Sequence, residues 1–266
     1  MRDDQGFASP PRDFTCGIAV MAKASAPGRT KTRLVPPLTG AEAAEANTAF
    51  LKDIFANIAE AARRVPVSGH AAYGPPGSGA FFADILPGID RFEAWRPGFG
   101  DCLRLAMEHL FAQGHRAAAV LNADSPTLPP ALLVEMAAAL MLPGDRGVLG
   151  PSTDGGYYLL ALKTPHDRLF ADIAWSTDQV AAQTLARARE TGLPMHILPP
   201  WYDVDDAAAL RTLHGELCAG VPFGDGALPR GAARHSTQFL TRVLDEAGLA
   251  ERLDLPERAP VLRRAS

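Results

Sequence analysis

Short apolar runs alternate along the chain with longer stretches in which apolar residues recur at helical spacing. Residues 16–22 form the first run, and their continuous apolar character is typical of a strand buried on both faces of a parallel sheet. The stretch 39–64 has the helical period, and Thr39 with Glu42 predicts a capping box at its start. A strand followed by a helix is the repeating unit of α/β folds.

The same alternation continues to about residue 217. It predicts further strands near residues 67–73, 91–95, 117–121, 147–150, 157–162 and 195–198. It predicts further helices over residues 101–113, 127–141, 206–217 and 236–248. Ser176 and Gln179 predict the capping box of one more helix. We therefore expect an α/β fold with an open, mostly parallel twisted sheet and helices on both faces.

Three segments of different composition divide the chain. Residues 1–13 are polar and lack periodicity, which predicts a flexible amino-terminal tail. Residues 14–219 carry the alternating pattern and are predicted to form one domain. The stretch 221–234 is rich in glycine and proline, so residues 220–266 are expected to be a linker followed by a helical carboxy-terminal extension.

Charge and composition exclude several classes of protein. The 266 residues include 26 basic and 30 acidic ones, and the net charge of −4 argues against a general nucleic-acid coat or a polybasic membrane anchor. No segment reaches the roughly 18 apolar residues of a membrane span, and no apolar region follows the charged start. The three widely spaced cysteines are expected to be reduced thiols. We expect a cytoplasmic protein without a nucleic-acid partner or an integral membrane segment.

The loop after the first predicted strand is strongly basic. It contains four cations and a glycine that lets the backbone turn closely around a ligand, namely Lys23, Arg29, Lys31, Arg33 and Gly28. Ligands of open α/β sheets bind at the carboxyl ends of the strands, so the loop predicts a site for a nucleoside di- or triphosphate. A solvated basic loop is the alternative.

Two acidic residues follow other predicted strands. Asp124 comes just before a helix, a position that suits Mg²⁺ or Mn²⁺, since these ions prefer carboxylate oxygens and keep other positions open for substrate. A plain helix-capping role is the alternative. Asp205 follows a later strand and can meet Asp124 across the edge of the sheet, whereas Asp206 is more simply the first-turn acid of the next helix.

The segment 150–158 joins two predicted strands through adjacent glycines. This pattern indicates backbone that approaches a ligand, and a hairpin turn is the alternative. The residues concerned are Asp154, Gly155, Gly156 and Tyr157. Trp175 and Thr177 stand at a predicted helix start, where they either cover a sugar or base or only cap and pack. Nucleophile, zinc and dinucleotide motifs are missing, which disfavours hydrolases, zinc enzymes and dehydrogenases.

In combination, several of these segments resemble a known family. They are residues 23–34, 124–129, 150–158, 175–177 and 203–205. Over about residues 16–215 the chain resembles a bacterial family of small glycosyltransferase-A-fold proteins, described as glycosyltransferases and in some cases linked to arsenosugar biosynthesis. That family is similar in fold to nucleotidyltransferases such as phospholactate guanylyltransferase. The resemblance implies that residues 14–219 form a nucleotide-binding domain with a nucleotide-diphospho-sugar transferase-like fold.

The resemblance also implies roles for individual residues. Phosphates would be bound by Lys23, Arg29, Lys31 and Arg33. A metal ion would be held by Asp124, with Asp205 as a possible second ligand. The donor sugar or the acceptor would be lined by Gly155, Gly156 and Tyr157.

Three segments depart from the pattern of the family. Asn122 stands where many glycosyltransferases of this fold have the first aspartate of a D-x-D motif. Leu103 takes the place of the last glycine in a Gly-Asp-Leu-Gly-type segment. Asp206 and Ala207 follow Asp205 where the family usually has Thr-Pro.

These observations support one leading function and two alternatives. The leading one is a metal-dependent glycosyltransferase with a nucleotide-sugar donor and a small-molecule acceptor, in which Asp154 is a candidate general base. The first alternative is a nucleotidyltransferase, in which a phosphorylated small molecule attacks a nucleoside triphosphate and pyrophosphate leaves. The second alternative is a non-catalytic nucleotide-binding protein, which the departures at Asn122 and Leu103 motivate.

Overall fold

A computed structural model describes residues 14–255 of the chain. The predicted amino-terminal tail, residues 1–13, and the end of the predicted carboxy-terminal extension, residues 256–266, lie outside the described residues. Within the described range, seven strands form one sheet. They are Cys16–Lys23 (β1), Val67–Gly74 (β2), Asp90–Glu93 (β3), Ala117–Leu121 (β4), Gly147–Pro151 (β5), Tyr157–Leu162 (β6) and Met195–Ile197 (β7).

Eight α-helices accompany these strands in the same part of the chain. They are Gly40–Ala61 (α1), Gly79–Ile85 (α2), Phe99–Ala112 (α3), Pro130–Met141 (α4), Val180–Glu190 (α5), Ala207–His214 (α6), Arg234–Glu246 (α7) and Leu249–Arg252 (α8). Two short 3₁₀ helices and one π-helical turn complete the described elements, at Thr32–Leu34, Asp167–Phe170 and Gly215–Ala219.

The order of the strands in the sheet is β3-β2-β1-β4-β6-β5-β7. All neighbouring pairs are parallel except those of β6, which runs antiparallel to β4 and β5. Cys16 lies opposite both Val67 of β2 and Ala117 of β4, so the central strands begin at the same level. Their carboxyl ends therefore meet at one edge of the sheet.

Helices cover both faces of the sheet. Successive side chains of a strand point to opposite faces, and β1 shows this directly. Ile18 and Val20 belong to a core that contains residues of α1, α4 and α7, whereas Ala19 belongs to a second core with residues of α3 and α5. The predicted open, mostly parallel sheet with helices on both faces is confirmed.

The helix starts were predicted with mixed success. Thr39 and Glu42 form both bonds of the predicted capping box at the start of α1. The helix α4 begins three residues later than predicted, since Pro129 has a ψ of 125° and a residue before proline is pushed out of the helical region. The predicted capping box at Ser176 is wrong, because Ser176 has a φ of +63° and α5 begins only at Val180. The sequence pattern did not predict α2.

The segment after residue 220 packs onto α1. The buried carboxylate of Asp53 in α1 accepts hydrogen bonds from the backbone N–H groups of His235 and Ser236 and from the Ser236 hydroxyl. Farther along, the guanidinium of Arg252 donates to both carboxylate oxygens of Glu42, at 2.8 and 2.9 Å. These bonds join α7 and α8 to the helix that covers the central strands. No helix among residues 14–255 is long and apolar enough to cross a bilayer.

Candidate functional site

The basic loop leaves the carboxyl end of β1 in a defined conformation. The side-chain amide of Asn47, in α1, donates to the Lys23 carbonyl at 3.0 Å and to the Ser25 hydroxyl at 2.8 Å. The hydroxyl of Thr30 bonds to both backbone groups of Ala26. Gly28 has a φ of +70°, a conformation that glycine adopts without strain. The loop is therefore held by its own bonds and by α1.

Lys31 points away from solvent, towards two carboxylates. Its side chain is only 6% exposed, and its ammonium lies 2.6 Å from Asp124 Oδ1, 2.8 Å from Asp205 Oδ1 and 2.9 Å from the Val204 carbonyl. Burial alone would lower the pKa of Lys31, but the charges of Asp124 and Asp205 outweigh burial and hold that pKa above its ordinary value. The other carboxylate oxygen of Asp205 accepts from Arg33.

The two carboxylates meet because the segment before α6 crosses the end of β4. The backbone N–H of Val204 donates to the Asp124 carbonyl at 2.8 Å, and the hydroxyl of Ser125 donates to the Tyr202 carbonyl at 2.8 Å. Asp205 follows at once in this segment, while Asp206 caps α6 by accepting from the backbone N–H of Ala209. The structure thus brings Asp124 and Asp205 together at the sheet edge.

The donor set of this pair fits a hard divalent cation. One ammonium nitrogen contacts both carboxylates, so one cation in that position reaches an oxygen of each. Mg²⁺ and Mn²⁺ accept such oxygens and need only one or two protein carboxylates when substrate phosphates and water supply the rest. Residues 14–255 contain no group of three or more His, Cys, Asp or Glu side chains placed to hold a metal. Any metal bound here would use carboxylates that Lys31 contacts in this structure.

Asp203 is a further acidic residue at this edge that sequence reasoning did not single out as a ligand. Burial, together with the charges of Asp154, Asp205 and Asp124, raises the pKa of Asp203 to about 6. Asp203 stands two residues before Asp205 and follows the same predicted strand, and this repeat of acids is the sequence signal that could have revealed it.

Three adjoining cavities open at the carboxyl edge, and Met21 lines all of them. The first, of about 230 Å³, contains the four cations of the basic loop with Asp124 and Asp205. The second, of about 540 Å³, is mainly apolar and is lined by Lys23, Arg29, Ala72, Pro75, Trp95, Phe99 and Cys102, among others. The third, of about 160 Å³, lies between Phe99, Asn122, Asp124, Tyr157 and Tyr158. Lys23 and Arg29 border the first two.

The segment 150–158 forms an antiparallel hairpin, which is the alternative to a loop that approaches a ligand. β5 and β6 pair on either side of the turn, and the exposed Asp154 accepts from the backbone N–H of Gly156 at 2.9 Å. Gly155 has a φ of +90°, and a Cβ there would overlap the backbone of Asp178. Packing within the chain therefore explains this glycine. Tyr157 alone of the four residues predicted here lines one of the three cavities.

Trp175 and Thr177 shape the loop before α5. The Trp175 ring meets the edge of the Phe99 ring, with centroids 5.5 Å apart, and a Cβ on Gly100 would lie 2.7 Å from the indole. The hydroxyl of Thr177 donates to the Ala174 carbonyl. Neither residue lines the three cavities. Trp175 instead contacts Phe99, which lines two of them.

Comparisons with known proteins support the architecture. Residues 57–177 match a family model described as "Uncharacterized protein conserved in bacteria (DUF2064)". No curated protein matches the chain. A crystal structure from Desulfovibrio desulfuricans G20, of a protein provisionally assigned as a nucleotide-diphospho-sugar transferase, is 23% identical with a TM-score of 0.75. The alignment covers 90% of this chain and 97% of that one.

Two further solved structures are similar at lower levels. One is 4-diphosphocytidyl-2C-methyl-D-erythritol synthase from Anaerococcus prevotii DSM 20548, with 9% identity and a TM-score of 0.51. The other is CMP:2-keto-3-deoxy-manno-octonic acid synthetase in complex with CTP, with 13% identity and a TM-score of 0.50. Each alignment covers 77% of this chain and 99% of the other. The chain therefore has the nucleotide-diphospho-sugar transferase fold, as predicted.

Proposed function

We propose that this protein is a metal-dependent glycosyltransferase that uses a nucleotide-sugar donor and a small-molecule acceptor. The observation that carries the proposal is the position of Lys23 and Arg29. Both border the cavity of the acid pair and the apolar cavity, and neither forms an ion pair within residues 14–255. Two free cations between a carboxylate pair and an apolar cavity match the diphosphate of a nucleotide-sugar.

The remaining parts of a nucleotide-sugar have matching surroundings. The apolar cavity of about 540 Å³ offers Trp95 and Phe99, which are 50% and 52% exposed, as stacking surfaces for a base. Asp124 and Asp205 would hold a Mg²⁺ or Mn²⁺ ion against the phosphates. The small cavity with Tyr157 is also lined by Asp124 and would receive the sugar. The provisional assignment of the similar protein from D. desulfuricans agrees with this arrangement.

The chemistry follows from positioning and charge. An acceptor hydroxyl attacks the anomeric carbon, the bond from that carbon to the diphosphate oxygen breaks, and a nucleoside diphosphate leaves. The metal would supply charge neutralisation on the leaving diphosphate. Lys23 and Arg29 stabilise the same developing charge and orient the donor. Asp154 stays the predicted general base for the hydroxyl proton, although it stands on the hairpin outside the three cavities.

Phosphorus NMR on the purified protein tests the proposal. The protein is incubated with Mg²⁺, which is diamagnetic, and with pools of nucleotide-sugars and nucleoside triphosphates, with water as a slow surrogate acceptor. Release of a nucleoside diphosphate from one nucleotide-sugar, lost in Asp124→Asn, would support glycosyl transfer and identify the donor. Nucleotide binding without turnover, indifferent to metal, would support a non-catalytic protein instead. The link to arsenosugar biosynthesis is a prediction, so the acceptors tested later include small organoarsenic compounds.

Nucleotidyl transfer is the second candidate, and one observation favours it. All four cations of the basic loop line the same cavity of about 230 Å³. If Lys31 and Arg33 left the carboxylates, the cavity would present enough positive charge for a triphosphate. Release of pyrophosphate from a nucleoside triphosphate would support this candidate. Replacing Arg29 and Lys31 together should then weaken binding of triphosphate more than binding of nucleotide-sugar, and equal weakening would count against it.

A further inference from the structure

We propose that Lys31 is an internal counter-cation, which competes with a divalent metal ion for Asp124 and Asp205 until nucleotide phosphates draw it away. The proposal rests on the proposed function, because it concerns the same site. It assigns to Lys31 a control of metal affinity in the free protein, in addition to any contact with the phosphates.

The ammonium of Lys31 is fully occupied in the structure. An ammonium has three donors, and the three acceptors of Lys31 are Asp124, Asp205 and the Val204 carbonyl, all within 2.9 Å. The ring of Phe50 lies on another side of it, 5.6 Å from the nitrogen to the centroid. The two carboxylates remain 32% and 28% exposed towards the cavity. Lys31 thus neutralises a pair of acids that solvent and ions can still reach.

The segments on either side of Lys31 fix its backbone. The residue has a φ of +51°, a left-handed conformation that residues other than glycine rarely adopt. Thr30 before it is bonded to Ala26, and the 3₁₀ helix after it buries Leu34 completely. Because the backbone at Lys31 is fixed, the four flexible carbons of its side chain are the part that can move. The ammonium can therefore turn into the cavity that Lys23 and Arg29 border without a change in the backbone.

A metal ion and this ammonium cannot occupy the same position. Mg²⁺ lies about 2.1 Å from its oxygen ligands, which is inside the space that the ammonium fills. A metal that binds Oδ1 of both carboxylates must expel Lys31, and nucleotide phosphates offer the expelled ammonium new acceptors. Metal and nucleotide should then strengthen each other's binding by the same factor, as linkage requires.

Titration with Mn²⁺ alone, followed by electron paramagnetic resonance of the free ion, measures the competition directly. We expect Lys31→Met and Lys31→Gln to bind Mn²⁺ about tenfold or more tightly than the wild-type protein, since loss of a charged hydrogen-bonded competitor has at least that effect. Lys23→Met is the matched control, because it removes a cation from the same cavity without touching the carboxylates. Adding Asp124→Asn to Lys31→Met should abolish the gain.

The outcomes separate this proposal from the proposed function. Mn²⁺ binding by folded Lys31→Met and Lys31→Gln that is no tighter than wild-type binding would overturn it, even if nucleotide-sugar turnover were found. Tighter Mn²⁺ binding in both variants, with no binding of nucleoside diphosphates to any variant, would support Lys31 as a counter-cation. It would contradict the proposed transferase function. Circular dichroism establishes that each variant is folded before its titration is interpreted.

Discussion

Gly155 lies directly against the backbone of Asp178, at a distance that leaves no room for a Cβ atom. This contact fixes the β5–β6 hairpin against the loop that precedes α5, and the backbone N–H of Ala181 adds a hydrogen bond to the Gly155 carbonyl at 3.0 Å. The close approach of Gly155 to Asp178 is a contact within the chain and does not depend on a ligand. Substitution of this glycine should therefore affect stability as well as activity.

We expect Gly155→Ala to destabilise the protein by about 2 kcal/mol or more. Alanine is strained at this positive φ, and its Cβ would also displace the backbone of Asp178. Gly192→Ala is the matched control, since Gly192 also has a positive φ, of +68°, but nothing lies within 4 Å of the position that its Cβ would take. It should cost about 1 kcal/mol. Urea unfolding of both variants measures the difference, and equal losses would show that the Asp178 contact is unimportant.

Asp124→Asn should reduce turnover by roughly 100-fold or more, because the proposed metal site loses one of its two carboxylates and Lys31 loses one of its charged partners. The steady-state rate with the donor identified by phosphorus NMR is the measurement. Asp84→Asn, an exposed acid in α2, is the control and should leave the rate unchanged. Near-native turnover of Asp124→Asn would exclude Asp124 from the chemistry.

Trp95→Ala should weaken nucleotide binding about tenfold or more, since stacking of a base on an aromatic ring contributes about 1–3 kcal/mol. The indole is half exposed beside the apolar cavity, so the free energy of unfolding should change little. Isothermal titration with the nucleoside diphosphate gives the affinity. Val221→Ala, which also removes an exposed apolar side chain, should bind as the wild type does. Unchanged affinity in Trp95→Ala would place the base elsewhere.

Acidification should destabilise the fold through His70. This histidine is buried in β2, and burial with the neighbouring His115 and His109 lowers its pKa, against the opposing charge of Asp90. The unfolded chain then binds more protons than the native chain below about pH 6.5, so stability is lost as the pH falls through that range.

Urea unfolding at about pH 7.5 and pH 5.5 tests the role of His70 at constant ionic strength. The wild-type protein should be less stable at the lower pH, and His70→Gln should lose less stability over the same interval. His115 has a lowered pKa of its own, so some pH dependence should persist in the variant. An identical loss in the two proteins would contradict the prediction.

The regular part of the fold could be predicted because its signals are local. Residues 117–121 are apolar throughout and form β4 as predicted, and Thr39 with Glu42 caps α1. The failure to predict α2 and the wrong capping box at Ser176 have local causes as well. The seven residues of α2 are too few to show a helical period, and no side chain caps its start. The left-handed φ of Ser176 occurs within a loop and has no signature in sequence.

The candidate site was only partly accessible from sequence, because its key contacts join distant segments. The composition of the basic loop and the position of Asp124 after a strand suggested an anion site beside a metal site. The bond between Lys31 and the two carboxylates depends on how the segment before α6 crosses the end of β4. The reason for Gly155 likewise depends on a residue of another loop. Assignment of the site residues to a reaction stays a prediction.

The reversed direction of β6 determines which segments of the chain can change at the carboxyl edge of the sheet. At this edge, the loops of the other central strands follow their strands. The turn of β6, in contrast, precedes its strand, and Tyr157 is the first residue of β6. The two halves of the site thus belong to independent pieces of chain. Exchanges of the exposed side chains of Thr153 and Asp154 can remodel the side next to Tyr157 while Gly155 keeps its contact with Asp178 and the loop after β1 keeps its shape. Under the proposed function, the preference for the sugar could change in this way without loss of the contacts proposed for the nucleotide.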